Sequence, residues 1–322
     1  MDVNLKDIVP HQPLEFEQLH GKTIAIDALN TLYQFLSSIR QPDGTPLMNS
    51  KGEVTSHLTG LLYRTSNLYN LGIKPIYVFD GKPPELKARE LERRAEVKRE
   101  SHEEWEKAKS EGRIEDALKH AKRTSRLTDA MLEDAKTLLD YMGVPHLQAP
   151  SEGEAQCVRL CLKNEAWAVG SQDYDALLFG APRLVKGLTM SGKIELALVE
   201  LKKTLETLGI NREQLIDIAL LVGTDFNDGV MGIGPKKGVK AVKEGKVAEL
   251  TAGIDMESLR NLFLKPDVTD DYKIEWGMAD ENRLVEFLCA KHDFSQSRVS
   301  SAAHELVERQ KALSQQTLDK WF

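Results

Sequence analysis

Two apolar segments that each end at an aspartate constrain the fold of this chain most strongly. Residues 23–26 stop at Asp27, and residues 75–79 stop at Asp80. Each segment is typical of a buried β-strand, and apolar residues at helical spacing lie between them. Strands that alternate with helices predict a parallel sheet, and the carboxyl ends of parallel strands collect ligand-binding groups.

Strands alternate with helices across residues 20–200, and helices complete the chain. Beyond Leu201 nearly every segment is predicted to be helical. The expected fold class is therefore α/β, with a central, mainly parallel sheet flanked by helices. The pattern predicts helices at 29–36, 58–71 and 127–142, strands at 144–147 and 166–169, and a β-hairpin across 182–199 that turns at Ser191 and Gly192.

Composition places the chain among globular proteins and leaves its partners open. Its 322 residues carry 43 Lys and Arg against 50 Asp and Glu, and 41% hydrophobic residues argue against a largely disordered chain. The sequence has no run of about 18 apolar residues and no secretory signal pattern, so we expect no membrane partner. The three cysteines are expected to be reduced and buried. A net charge of −7 does not exclude nucleic acid, because binding depends on where the charges lie.

Residues 82–126 differ in character from the rest of the chain. They contain 14 basic and 11 acidic residues, a local balance of 14 − 11 = +3. Apolar residues are sparse, so helices here cannot bury a wide face. Two interpretations stay open: a solvated helical pair, or a mobile element lined with basic residues above a site.

Seven carboxylates follow predicted strands or lie at helix ends: Asp27, Asp80, Glu152, Glu154, Asp173, Asp175 and Asp225. A single aspartate in such a place is usually a helix cap or a turn residue. All seven at one edge would repel one another severely unless cations neutralised them. In extended backbone, residues two apart point the same way, so Asp173 and Asp175 are expected to face one site. Oxygen ligands without a His or Cys cluster favour Mg²⁺ or Mn²⁺, and two such ions suit phosphodiester hydrolysis.

A glycine- and lysine-rich segment before a predicted helix suits phosphate binding. It carries, in order, Gly232, Gly234, Lys236, Lys237, Lys240 and Lys243. Glycines let backbone N–H groups approach a phosphate, and the helix N-terminus adds partial positive charge. The lysines can neutralise successive phosphates without reading bases. The pattern indicates duplex binding without sequence specificity, and a plain helix–helix turn is the alternative.

Six segments in order together resemble the flap endonucleases of the structure-specific 5′ nuclease superfamily, the archaeal type in particular. They are residues 24–28, 77–84, 149–156, 171–175, 222–225 and 232–236. The resemblance runs essentially from end to end. It implies that the seven carboxylates are the ligands of two Mg²⁺ ions, which Mn²⁺ can replace. It also implies that Lys87 and Arg94 are catalytic and stabilise the charge that develops on the scissile phosphate.

The resemblance also implies a DNA-binding surface. Tyr33 would stack on a base next to the scissile phosphate, while Arg40 and Arg64 would hold the template strand. A helix–two-turn–helix element near 223–245 would bind duplex backbone and admit a K⁺ ion. The remaining implied DNA-binding residues are Glu152, Gly223, Asp225, Gly232, Gly234, Lys236, Lys237 and Lys240.

The same resemblance divides the chain into five segments. They are an N-terminal nuclease half at 1–98, an arch linker at 99–115, an internal nuclease half at 116–255, a C-terminal helical segment at 256–313 and a tail at 314–322. The two halves would form a PIN-like 5′ nuclease core. Residues 82–126 would then form a helical arch through which a free 5′ end passes.

The last eight residues resemble a peptide that binds a sliding clamp (PCNA). Gln315, Leu318, Trp321 and Phe322 match the form Gln-x-x-aliphatic-x-x-aromatic-aromatic and would fill a pocket of the clamp. A tail folded back on its own body is the alternative. A chain that ends there, without a basic extension, favours an archaeal source. A cytoplasmic, nucleoid-associated protein is therefore expected, or a nuclear one if the source is eukaryotic.

The expected function is that of a monomeric, metal-dependent 5′ flap endonuclease, with 5′–3′ exonuclease activity, that acts on branched DNA in Okazaki-fragment maturation and repair. A 5′–3′ exonuclease or a Holliday-junction resolvase of the same superfamily is the alternative, and the arch and the tail favour the flap enzyme. A non-catalytic DNA-bending or clamp-tethered adaptor is the alternative from another class. Two positions depart from the family pattern: Asp2 stands in place of a glycine, which leaves the role of the N-terminus open, and Phe226 in place of a tyrosine, where the ring is expected to pack.

Overall fold

A seven-stranded sheet lies at the centre of the computed structural model, which describes residues 3–87, 96, 100, 104, 126–188 and 195–319. The strands are β1 (Gln12–Leu14), β2 (Thr23–Asp27), β3 (Lys74–Phe79), β4 (His146–Gln148), β5 (Ala168–Gly170), β6 (Arg183–Lys186) and β7 (Leu196–Glu200). Their order across the sheet is β1-β7-β6-β5-β2-β3-β4. Only β7 runs antiparallel to its neighbours, so the predicted α/β class with a mainly parallel sheet is confirmed.

Helices cover both faces of this sheet. They are α1 (Ala28–Ser38), α2 (Ser56–Asn70), α3 (Asp129–Tyr141), α4 (Gly153–Leu162), α5 (Asp175–Phe179), α6 (Leu201–Leu208), α7 (Arg212–Val222), α8 (Pro235–Lys243), α9 (Val247–Leu250), α10 (Met256–Leu264), α11 (Glu281–Val285) and α12 (Gln296–Asp319). A π-helical turn, Glu286–Lys291, links α11 towards α12, and single 3₁₀ turns cover Phe16–Leu19 and Glu85–Lys87. None of the described helices is long and apolar enough to cross a membrane.

The strand side chains divide the core into two layers. Ile24 and Ile26 pack with α1, α2, α3 and α12, whereas Ala25, Ile76 and Val78 pack with α4, α5, α7 and α10. This division follows from the alternation of side chains along a strand. The two layers pack against opposite faces of the sheet and so keep the carboxyl ends of its strands in fixed positions.

The predicted hairpin is confirmed as the antiparallel pair β6 and β7, and its turn at 191–192 lies outside the described residues. The short strand β1 was missed by the sequence pattern. It pairs with β7, where Gln12 stands opposite Leu198. Of the charged segment, only residues 82–87, 96, 100, 104 and 126 are described, so both interpretations of 82–126 remain predictions.

The prediction of helix almost throughout the C-terminal part is wrong for residues 265–280, which form an irregular strip. Its backbone groups bond to other elements instead of to one another. The side chain of Gln156 exchanges two hydrogen bonds of 2.9 Å with the backbone of Thr269, and Gly277 N donates to Gly143 O at 2.9 Å. A helix could not satisfy these partners, so tertiary contacts decide the conformation.

Candidate active site

The pairing of the strands brings the predicted carboxylates to one edge of the sheet. Asp27 on β2 stands opposite Val78 on β3, so Asp80 follows two residues beyond. On the other side of β2, Ile26 stands opposite Gly170, the last residue of β5. Because β2, β3, β4 and β5 are parallel neighbours, the segments that carry these acids leave the sheet together.

Asp27 both ends β2 and caps α1. Its Oδ1 accepts a 3.0 Å hydrogen bond from Asn30 N, and only 7% of the residue is exposed. The side-chain amide of Asn30 donates to Asp173 Oδ2, so one residue holds two of the acids. The sequence analysis did not identify Asn30. Its place in the first turn of a helix that an aspartate caps was the available signal.

Glu152 and Glu154 lie at the start of α4, as predicted, and the glycine between them has a structural cause. Gly153 N donates a 2.8 Å hydrogen bond to Asp80 Oδ1. A Cβ at position 153 would collide with the same oxygen. Glycine therefore lets the helix N-terminus approach the end of β3 closely, which places both glutamates beside Asp80.

Lys87 is the cation at this edge. Its Nζ lies 2.6 Å from Glu152 Oε2 and 3.5 Å from Asp225 Oδ2. Burial opposes the charged form, but the charges of Glu152, Asp225 and Asp80 outweigh it and raise the pKa of Lys87 above its ordinary value. The ammonium group also lies 5.9 Å from the ring centre of Phe226, which packs edge-on against Phe263 as expected.

Burial and mutual repulsion together raise the pKa values of three of the acids. Burial first, and then the charge of Asp80, raises the pKa of Asp27 well above its ordinary value. Burial and the charge of Glu152 raise the pKa of Asp80 to about 6. Burial and the charges of Asp175 and Asp173 raise the pKa of Glu154. A cation bound at this edge would relieve the repulsion and favour the ionised carboxylates.

Asp173 and Asp175 reach the site in a different way from the one predicted. The backbone between them is not extended: Tyr174 has φ −93° and ψ −4°, and Asp175 is the first residue of α5. Both nevertheless act on Glu154, whose Oε1 accepts a 2.6 Å hydrogen bond from Ser171 Oγ. A tight turn into a helix, rather than strand alternation, brings the two acids together.

The donor set fits hard divalent cations. Within the described ranges, no three carboxylate, histidine or cysteine side chains already close around a single point. Mg²⁺ keeps several waters and uses one or two carboxylates together with substrate phosphates, so it does not need a complete protein cage. The arrangement is therefore suited to Mg²⁺ or Mn²⁺ shared between protein and a phosphate backbone.

The predicted phosphate-binding segment forms the turns between α7 and α8. Gly223 and Gly232 have φ of +108° and +79°, which side chains rarely adopt, and Gly234 caps α8 ahead of Pro235. The four predicted lysines of α8 are exposed: Lys236, Lys237, Lys240 and Lys243. Lys237 Nζ donates to Gly232 O at 2.8 Å, and Lys240 lies 3.7 Å from Glu244.

Of the other predicted DNA-binding residues, Tyr33 lies on α1, Arg40 lies just after it and Arg64 lies on α2. Tyr33 is half-buried on α1. Arg40 donates from Nε to Leu36 O at 2.9 Å and from Nη1 to Gly44 O at 2.8 Å, so it also supports the loop after α1. Arg64 is half-buried and lines a cavity of about 380 Å³ between the two helices.

Four predicted residues carry no side-chain description. Arg94, Trp321 and Phe322 lie outside the described residues, and Leu318 is described only as part of α12. That helix continues through exposed Gln315 to Asp319, so the first part of the predicted tail is helical. The clamp-binding assignment remains a prediction.

Comparison with known proteins gives consistent matches along the chain. The XPG N-terminal domain model matches residues 4–101, and the XPG I-region model matches residues 143–225. Flap endonuclease 1 of Methanosarcina barkeri is 50% identical over 342 residues and covers all of both chains. Flap endonuclease 1 of Pyrococcus furiosus is 48% identical over 338 residues, covering 100% of this chain and 99% of that protein. The structure of flap endonuclease-1 from Methanococcus jannaschii aligns with TM-score 0.81 and 41% identity over 95% of this chain and 98% of that one.

Proposed function

Since the chain belongs to the flap endonuclease 1 family and is a metal-dependent nuclease, we propose that its seven carboxylates hold two Mg²⁺ ions at the scissile phosphodiester. The observation that carries this proposal is the shared carboxyl edge of β2, β3, β4 and β5, where burial and repulsion raise the pKa of three of the acids. Such ions would supply a hydroxide nucleophile and stabilise the attacking and leaving oxygens.

Lys87 and Arg94 are proposed to contact the same phosphate. The ammonium of Lys87 lies 2.6 Å from Glu152 and 3.5 Å from Asp225, so a phosphate that binds at this edge would meet its positive charge. A fixed cation there would stabilise the negative charge that grows in the transition state. Arg94 follows from the family resemblance alone.

Duplex DNA is proposed to lie across the turns between α7 and α8. The N-terminus of α8 and its exposed lysines support this, because they offer backbone N–H groups and charge without base-reading side chains. A K⁺ ion would be held by the backbone of the same turns. Tyr33, Arg40 and Arg64 are proposed to hold the strand nearest α1 and α2, and residues 315–322 to bind a sliding clamp.

The direct test uses labelled double-flap, nicked and four-way DNA with Mg²⁺, Mn²⁺ or EDTA, and maps the product lengths. We expect cutting near the flap junction with either metal and none in EDTA. Preferred cutting of nicked or four-way DNA would favour the exonuclease or the resolvase, and binding without cutting would favour the adaptor.

The matched variants for this test are Asp173→Ala and Asp271→Ala. Asp271 is exposed on the irregular strip and has no proposed role, so its replacement should leave cutting unchanged. Asp173→Ala should abolish cutting while duplex affinity stays the same or rises, since a negative charge near phosphate is removed. Parallel loss of binding and cutting would indicate that Asp173 serves the fold instead.

A further inference from the structure

The turn that carries Asp173 has little regular structure of its own. Residues 171–174 connect the end of β5 to α5, and Asp175 opens that helix. On one side the turn is held by Asn30, which donates to Asp173, and by Ser171 Oγ, which accepts from Asp173 N at 3.1 Å. The contacts that the turn makes with other elements decide how firmly Asp173 and Asp175 are positioned.

Tyr174, between the two acids, is held by the N-terminal segment. Its hydroxyl lies 2.7 Å from His11 Nε2, and the two rings meet edge-on at 5.8 Å. His11 immediately precedes β1, so pairing of β1 with β7 fixes its position. A residue 163 positions away in the sequence therefore sets the place of this turn.

Lys186 holds the same turn from β6. Its Nζ lies 3.7 Å from the ring centre of Tyr174, a close cation–π contact, and it donates a hydrogen bond to the backbone oxygen of Gln172. Lys186 is the last residue of β6 and stands opposite Ala197 on β7, and the residue before it, Val185, pairs with Gly170 on β5. Two separate strands thus converge on one side chain of the turn.

We propose that His11, Tyr174 and Lys186, here named the tyrosine brace, position Asp173 and Asp175 for metal binding. The proposal rests on the proposed function, because it takes those two acids as metal ligands. A purely structural role is the less economical explanation for His11. His11 is exposed and lies outside the strands, yet its hydrogen bond ends on the residue that separates the two acids.

The test measures Mn²⁺ binding to the DNA-free protein from the paramagnetic resonance signal of free Mn²⁺. His11→Phe and Tyr174→Phe each remove the same hydrogen bond and keep the ring, so each should weaken Mn²⁺ binding about three- to tenfold. The double variant should be no weaker than either single one, because the two changes remove one interaction. The Mg²⁺ midpoint of cleavage should shift by the same factor.

Lys186→Met tests the role of Lys186 by the direction in which the Mn²⁺ affinity changes. Loss of a positive charge from the turn that carries the two acids would by itself tighten cation binding, whereas loss of a positioning contact weakens it. We expect weaker Mn²⁺ binding, and tighter binding would overturn the role of Lys186.

The matched control is Thr65→Val, which removes the 2.8 Å hydrogen bond between Thr65 on α2 and the Tyr77 hydroxyl on β3. It should lower the melting temperature and leave Mn²⁺ affinity unchanged. Wild-type Mn²⁺ affinity in both His11→Phe and Tyr174→Phe would overturn the brace and leave the metal site intact. Wild-type affinity in Asp173→Ala would overturn the ligand assignment and the brace together.

Discussion

At the scale of single residues, Lys87 is the group whose chemistry the structure constrains most. Its ammonium is close to two acids and lies over an aromatic ring, and the charges of those acids raise its pKa, which favours the charged form. Lysine side chains that are exposed on a protein surface bind DNA through many weak contacts. Lys87, held at a carboxylate edge, is instead proposed to act on a single phosphate.

We expect Lys87→Ala to lower single-turnover cleavage by about 10²- to 10³-fold, the usual effect of removing one preorganised donor. Affinity for flap DNA should change little, because the interaction strengthens only as charge develops. Rapid quench at saturating enzyme gives the rate, and fluorescence anisotropy in Ca²⁺ gives the affinity. Lys82→Ala, at an exposed position five residues earlier, is the control. A loss of affinity equal to the loss of rate would refute a transition-state role.

A second expectation at this scale concerns Asp80 in metal-free protein. Its pKa is raised to about 6, so the folded state holds its proton more tightly than the unfolded state does. The contribution of Asp80 to the free energy of unfolding is therefore present at acid pH and is lost as the pH rises through about 6. Asp80→Asn removes the free-energy cost of ionising a buried carboxyl group. In EDTA, the melting temperature of the variant should rise relative to that of wild type between pH 4 and pH 7. A difference in melting temperature that stays constant over this range would contradict the burial of an ionisable acid here.

At the scale of elements, the lysines of α8 should act as a unit on phosphates. Lys236→Ala with Lys237→Ala should weaken binding to all duplex sequences alike and reduce the slope of log affinity against log salt by up to about 2. The control pair is Lys202→Ala with Lys203→Ala, adjacent exposed lysines on α6. An unchanged salt slope would show that α8 does not contact the backbone.

The elements also show where sequence reasoning reaches its limit. β2, β3 and most helices were predicted because their apolar residues repeat over enough positions to be distinctive. β1 is three residues long and contains Pro13, so only its partner β7 makes it a strand. Residues 265–280 are fixed by partners such as Gln156, which no local pattern reveals. The acids were predicted from their positions after strands, but Asn30 and the tyrosine brace depend on contacts between distant segments.

At the scale of the whole molecule, the tail is expected to act apart from the nuclease. Trp321→Ala with Phe322→Ala should cost at least ~2 kcal/mol of affinity for the cognate clamp, more than tenfold in Kd. Cutting of free flap DNA should be nearly unchanged. Calorimetric titration with the clamp and flap-cutting rates check the two statements. Slower cutting without the clamp would show that the tail packs on the nuclease.

The position of β2 in the sheet has a consequence for biosynthesis. One neighbour, β3, is made about fifty residues after it, but the other, β5, begins only at residue 168. Until then a nascent chain presents one side of β2 as an open strand edge, which invites pairing with other chains. The seven carboxylates are also spread along the sequence, and the last of them, Asp225, is synthesised after all seven strands. A chain truncated before residue 225 lacks one of the seven proposed metal ligands, so we expect it not to cut DNA.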